Sequence, residues 1–255
     1  MFKRCFFAIA IVIGFLSCEK EQPMILSPLN FTEKELPGCD TTSCPEITVN
    51  YVAINEDSDR ARKINSVINE FIIDALYLGD DMADPVAKDI AEAASQFVQT
   101  YRTHSAEFPD MQLEYFVELN ITETYQTDEI LSLETHQYLF TGGAHGYGAT
   151  FFATFDAQSG EEMGVEDLFS DLNGFKKFAE TEFRKANKIP ESESINATGF
   201  WFEDDTFYLP EAIGIRDSKI ALIYNQYDIA SYAAGPIELE IPLSKLKSYL
   251  AISIQ

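Results

Sequence analysis

Residues 138–156, YLFTGGAHGYGATFFATFD, constrain this chain more than any other stretch. Four glycines, Gly142, Gly143, Gly146 and Gly148, lie between arms that carry Tyr138, Phe140, Phe151, Phe152 and Phe155. Glycine reaches φ > 0 without steric cost, so the chain can reverse there or let another backbone approach closely. Aromatic arms suit a half-buried pleated surface. The stretch predicts a central antiparallel hairpin with an irregular tip.

The flanking segments give that hairpin partners. Ile47, Val49 and Tyr51 alternate, which predicts a strand over 46–54. Asp57-Ser58 can cap a helix whose apolar face carries Ile64, Ile68, Phe71 and Ile72. Asp84-Pro85 predicts the start of a second helix, with Asp84 as cap and Ile90, Ala94, Phe97 and Val98 on its face. Strands follow over 111–124, 130–140 and 149–156, then a turn at 157–160 and short helices over 165–169 and 175–187. Trp201 is expected in the core. A meander over 207–209, 212–215 and 219–224, a strand at 237–241 and a closing helix over 243–250 complete the chain. Segregated runs of this kind predict an α+β fold: an antiparallel sheet packed with two N-terminal helices, followed by a smaller α+β part. The division falls between 46–140 and 141–255, two parts that can pack as one unit.

The N-terminus reads as an export signal. Lys3 and Arg4 precede an apolar run too short to span a bilayer, which takes roughly 20 residues. The run ends in Leu16-Ser17-Cys18, which resembles a bacterial lipobox, with Cys18 the acylated residue and residues 1–17 removed. The expectation is a lipid anchor in the outer membrane, facing the periplasm or the cell surface. Losing residues 1–17 and their two positive charges moves the formal charge from −24 to −26. That balance argues against nucleic acid and anionic membrane surfaces and is compatible with basic partners. Residues 18–45, broken by Pro23, Pro28, Pro37 and Pro45, read as a tether. Cys39 and Cys44 remain as a nearby pair, which in an exported chain favours a local disulfide.

Few residues offer chemistry. His136 on a strand reads as structural, and His104 as part of a solvated helix end. His145, in the glycine tip, could act as a general base, ligate a metal, or fix the loop by bonding nearby carbonyls; the last is the favoured reading. No zinc-ligand spacing stands beside it, and neither a Gly-x-Ser-x-Gly elbow nor a phosphate loop of the G-x-x-x-x-G-K type occurs. No metal, cofactor or catalytic residue is therefore assigned.

TGGAHGYG, the turn FDAQSGEEMGVEDLF and a second segment, NQYDIASYAAGPIELEIP at 225–242, together resemble a family of unknown function in exported bacterial proteins. Asp228 stands where that pattern more often has Glu. Residues 46–140 resemble the companion family that precedes it, by element order. This pair occurs in the extracellular part of the lysozyme-sensing anti-sigma-V factor and ahead of the catalytic domain in some peptidoglycan deacetylases. The resemblance implies a non-catalytic envelope module that binds a lysozyme-like protein or a peptidoglycan fragment. An enzyme acting on envelope glycans is the alternative. The loop or ligand-binding candidates are Gly142, Gly143, His145, Gly146, Asn225, Tyr227, Asp228, Tyr232 and Gly235.

Overall fold

A computed structural model describes residues 23–79, 85–109 and 114–253. The export signal, Cys18, the cap at Asp84 and residues 111–113 of the expected third strand lie outside those residues. Two sheets organise the chain. The larger runs in spatial order β1 (Leu26–Thr32), β2 (Glu46–Ile54), β3 (Phe116–Gln126), β4 (Ile130–Phe140), β5 (Tyr147–Asp156) and β6 (Glu162–Met163). Between β2 and β3 the chain forms α1 (Asp59–Ala75) and α2 (Ile90–Glu107). Then come α3 (Val165–Leu168) and α4 (Leu172–Ala186), followed by the smaller sheet of β7 (Ala212–Arg216), β8 (Lys219–Tyr224) and β9 (Ile237–Pro242).

Alternation decides what each face of the large sheet meets. Ile47 and Val49 of β2, Val117, Leu119 and Ile121 of β3, and Leu131 and Leu133 of β4 point toward the helices and are buried. Ile64, Ile68 and Ile72 of α1 and Phe97 and Val98 of α2 complete that core. Burying one such side chain stabilises by about 1.5–3 kcal/mol. Ser58 caps α1, its side chain accepting from Ala61 N. A second core lies between α4 and the small sheet, where Phe175, Ala179 and Phe183 meet Ile220, Leu222, Tyr224 and Ile241. β7 lies against β3, β4 and β5. Ile215 N donates to Ser132 Oγ at 3.1 Å and Thr124 Oγ1 donates to Ile215 O at 2.7 Å.

Several expectations need correction. β2 and β3 pair in parallel, the exception in an otherwise antiparallel sheet, because the two helices between them form a crossover connection. Residues 26–32 are not tether: they form β1, antiparallel to β2, and Pro28 is tolerated because β1 is an edge strand. The second helix starts at Ile90, where Asp89 accepts from Glu92 N at 2.8 Å and Glu92 accepts from Lys88 N at 3.0 Å. That reciprocal pair outcompetes the Asp84-Pro85 start. Residues 207–209 form no strand, since Phe207 is spent in the aromatic cluster of the second core. In place of a helix over 243–250 there is a single 3-10 turn, Leu243–Lys245. Tyr249 O instead accepts from Ser170 N at 2.7 Å, and Leu250 bridges Phe169. Trp201 is 48% exposed, not in the core. The 140/141 division falls between β4 and β5, which pair along ten positions.

Candidate binding site

The hairpin tip joins β4 to β5. Gly142 and Gly143 take φ of 95° and 98°, the left-handed side that glycine tolerates. His145 Nδ1 lies 3.0 Å from Gly146 O, and its ring stacks on Tyr232 with centroids 3.9 Å apart. Tyr232 Oη donates to the same Gly146 carbonyl at 3.0 Å. His145 is thus held by its own loop and by a ring from the second motif.

Residues 225–235 form the other wall. Asn225 Oδ1 accepts from Thr150 N at 2.8 Å and its Nδ2 donates to Thr150 O at 3.0 Å. Asp228 Oδ2 accepts from Asn225 N at 2.7 Å and its backbone N–H donates to Asn225 O at 3.1 Å, which closes the turn. Asp228 is exposed as a residue, yet its carboxyl is held above the ordinary carboxylate range. Partial desolvation is the larger cause and repulsion from Glu211 a smaller one, against the pull of the Asn225 N–H. Tyr227 takes φ 74°, a strained conformation for a bulky residue, and stands 51% exposed with its ring 5.6 Å from Tyr232. Gly235 ends the segment at φ 71°.

Between the walls lies a groove of about 310 Å³, lined by His136, Tyr138, Thr150, Asn225, Gln226 and Tyr232 among others. Gly148 N donates to Gln226 Oε1 at 3.4 Å. His136 Nδ1 pairs with Thr150 Oγ1 at 3.1 Å, and Nε2 lies 3.1 Å from Glu134 Oε1. Glu134 is buried and also meets Arg216 Nη1 at 2.7 Å. The hydrogen bond to Glu134 raises the His136 pKa, overcoming desolvation and the nearby Arg216.

The fold brings together the sequence-predicted residues of the tip and of the 225–235 loop, far apart in the chain. Cys39 and Cys44 lie apart from them and are joined by a disulfide, Cα atoms 5.5 Å apart. Arg102 of α2 reaches both Thr42 Oγ1, at 2.9 Å, and Cys44 Sγ, at 3.3 Å. His104, expected at a solvated helix end, holds Tyr115 Oη at 2.6 Å through Nδ1. Sequence reasoning missed the groove residues Thr150, Gln226 and Tyr138, and the ties of His136 to Glu134. The expected strands over 130–140 and 149–156 carry His136 and Thr150, but only strand register puts them side by side. Among the described residues no three His, Cys, Asp or Glu side chains converge as a metal site, and no helix is long and apolar enough to cross a membrane.

Residues 39–147 match the family described as "Deacetylase PdaC", and residues 166–244 match "Protein of unknown function (DUF3298)". The crystal structure of a DUF3298 family protein from Pseudomonas aeruginosa PAO1 is 20% identical, with a TM-score of 0.65 over 91% of this chain and 96% of that one. A DUF3298 member from Bacteroides fragilis NCTC 9343 is 21% identical, with a TM-score of 0.63 over 90% and 94%. Identities this low carry the fold alone. A comparison with curated proteins gives no match. The tip glycines close the first matched region, and the Asn225 loop that grips β5 belongs to the second. Residues 39–147 are thus similar to a PdaC-type domain, and residues 166–244, which follow them, to a DUF3298 domain.

Proposed function

We propose that this chain is a non-catalytic, lipid-anchored binding module of the bacterial cell envelope, and that its groove takes a peptidoglycan fragment. The observation that carries this reading is how the motif side chains are used. His145 is engaged by Gly146 O and Tyr232, Asn225 by Thr150, and Asp228 by the Asn225 N–H. These residues build and hold a groove. The groove offers the amide of Gln226 and the exposed imidazole of His136, whose Nδ1 meets the Thr150 hydroxyl, beside the rings of Tyr138 and Tyr232. Amides and imidazoles satisfy sugar hydroxyl and acetamido groups, and aromatic faces cover the apolar C–H face of a sugar ring.

Calorimetric titration of the purified chain with a soluble disaccharide-peptide from peptidoglycan tests this. Saturable binding with unchanged ligand recovered afterwards is expected. Hydrolysed or deacetylated product in the recovered ligand would favour the alternative, an enzyme acting on envelope glycans. The "deacetylase" of the family description belongs to that family, and only such turnover would bring it to this chain. Anchoring rests on Leu16-Ser17-Cys18. Mass spectrometry of the mature N-terminus should find diacylated Cys18, and Cys18→Ala should leave the protein unlipidated; an unmodified N-terminus elsewhere rules the anchor out. A second reading, capture of a basic lysozyme-like protein, is favoured by the acidic charge of −24.

A further inference from the structure

One row of polar side chains crosses the face of the large sheet that α1 and α2 leave uncovered. Strand register places Asn30 of β1 opposite Asn50 of β2, Asn50 opposite Asn120 of β3, Asn120 opposite His136 of β4, and His136 opposite Thr150 of β5. The asparagines are chained. Asn30 Nδ2 donates to Asn50 Oδ1 at 2.8 Å, Asn50 Nδ2 donates to Asn120 Oδ1 at 2.8 Å, and Asn120 Nδ2 donates to Glu118 Oε1 at 2.9 Å. Asparagine is depleted in strands, so three in one register call for a reason beyond sheet formation.

We infer that this row is a binding face for an extended, uncharged N-acetylated aminosugar chain lying across the strands, one end in the groove described above. A carboxamide has two N–H donors and two acceptor sites, and the ladder uses one donor of each asparagine. Asn30 is exposed and Asn50 and Asn120 are half-buried, so the remaining donors and lone pairs face outward. An acetamido group supplies the matching N–H and C=O. Five strands at about 4.8 Å spacing span about 19 Å, and two strand spacings, about 9.6 Å, approach the two-sugar repeat of an extended β-1,4-linked chain, in which alternate rings present their acetamido groups to the same side. Alongside the row, Phe116 and Tyr138 stack with centroids 5.1 Å apart and Phe140 adjoins Phe116, an aromatic strip for the C–H faces of sugar rings. Glu118 ends the ladder on a chain of charge −24, which disfavours a polyanion and leaves a neutral glycan as the complementary occupant. The row and the groove share His136 and Thr150, so the two are continuous.

The inference rests on the glycan reading of the groove, and chain length separates the two. Calorimetry with N-acetylglucosamine oligomers of two, four and six sugars should give affinity that rises about tenfold from dimer to tetramer and then levels off. Glucose oligomers of equal length, without acetamido groups, should bind about tenfold more weakly. Asn50→Leu should cost the tetramer about tenfold and spare the dimer, and Asn30→Ala at the exposed edge should act the same way without threatening the fold. Dimer and tetramer binding equally well, or both variants binding the tetramer as wild type does, would overturn lengthwise binding and leave the groove reading intact. No binding of any oligomer would also overturn it, while the disaccharide-peptide titration would still decide the groove.

Discussion

Asn225 holds the backbone of Thr150 as a neighbouring strand would, accepting from its N–H at 2.8 Å and donating to its C=O at 3.0 Å. β6 pairs with β5 only at Thr154 and Phe155, so among the described residues no strand pairs with Thr150 on that edge. Thr150 is buried, and an unpaired N–H or C=O there costs about 1–3 kcal/mol. Asn225→Ala should therefore destabilise by about 2–4 kcal/mol and free the 225–235 loop from the sheet. Asn225→Asp keeps the acceptor, loses the donor and sets a second carboxylate beside Asp228, so it should not rescue. Denaturant unfolding measures both. An Ala variant within about 0.5 kcal/mol of wild type would remove the clamp from this account.

Two glycines separate strain from collision. Gly143 has φ 98° and nothing within 4 Å of a built Cβ. Gly160 has φ 71°, and its Cβ would stand 2.5–2.9 Å from the backbone of Arg60 at the start of α1. Gly143→Val should cost about 1–3 kcal/mol through backbone strain alone. Gly160→Ala should cost more, about 3–5 kcal/mol, because helix α1 must move as well. The reverse order of unfolding midpoints would contradict both assignments.

His136 ties the groove to pH. Its pKa lies above the unfolded value of 6.5 because Glu134 favours the charged ring. The stability contributed is fully present below about pH 6.5 and is lost as pH rises through the folded-state value. Arg216 faces the same carboxylate and opposes the shift. His136→Gln should cost most near about pH 5.5 and least near about pH 9. Thermal melts of both proteins at the two pH values provide the check, and a constant difference would show that the histidine does not titrate against Glu134.

Much of this arrangement was legible residue by residue. Alternation located β2, helical periodicity located α1, and the tip glycines with their aromatic arms marked the reversal between β4 and β5. Pro28 and its neighbours looked like tether because an edge strand with one proline carries no clear period; pairing with β2 orders it. Trp201 was misplaced because an aromatic ring suits a core and an exposed site equally, and sequence alone does not choose. The groove was not legible as a unit. Asn225 and Thr150 are 75 residues apart, and the Asn30–Asn50–Asn120 row depends on strand order, including the parallel step from β2 to β3.

The acidic charge gives the last prediction. Opposite net charges accelerate association by long-range steering, which salt screens with a Debye length of about 8 Å at physiological strength. A strongly basic lysozyme should then bind this chain of charge −24 with an association rate that falls as salt rises. Affinity at physiological salt must come from a few desolvated anchors. The exposed rings of Tyr227, Tyr147 and Trp201 surround the second motif: Tyr147 Oη reaches Gln226 O at 3.4 Å, and Trp201 N reaches Ile229 O at 3.0 Å. Tyr227→Ala should raise the dissociation rate and leave the salt slope of association unchanged, since it removes contact area and no charge. Surface plasmon resonance at low and physiological salt reads both quantities. Binding at low salt that vanishes at physiological salt would be charge attraction without a site, and no binding at low salt would eliminate the basic-protein reading and leave the glycan reading standing.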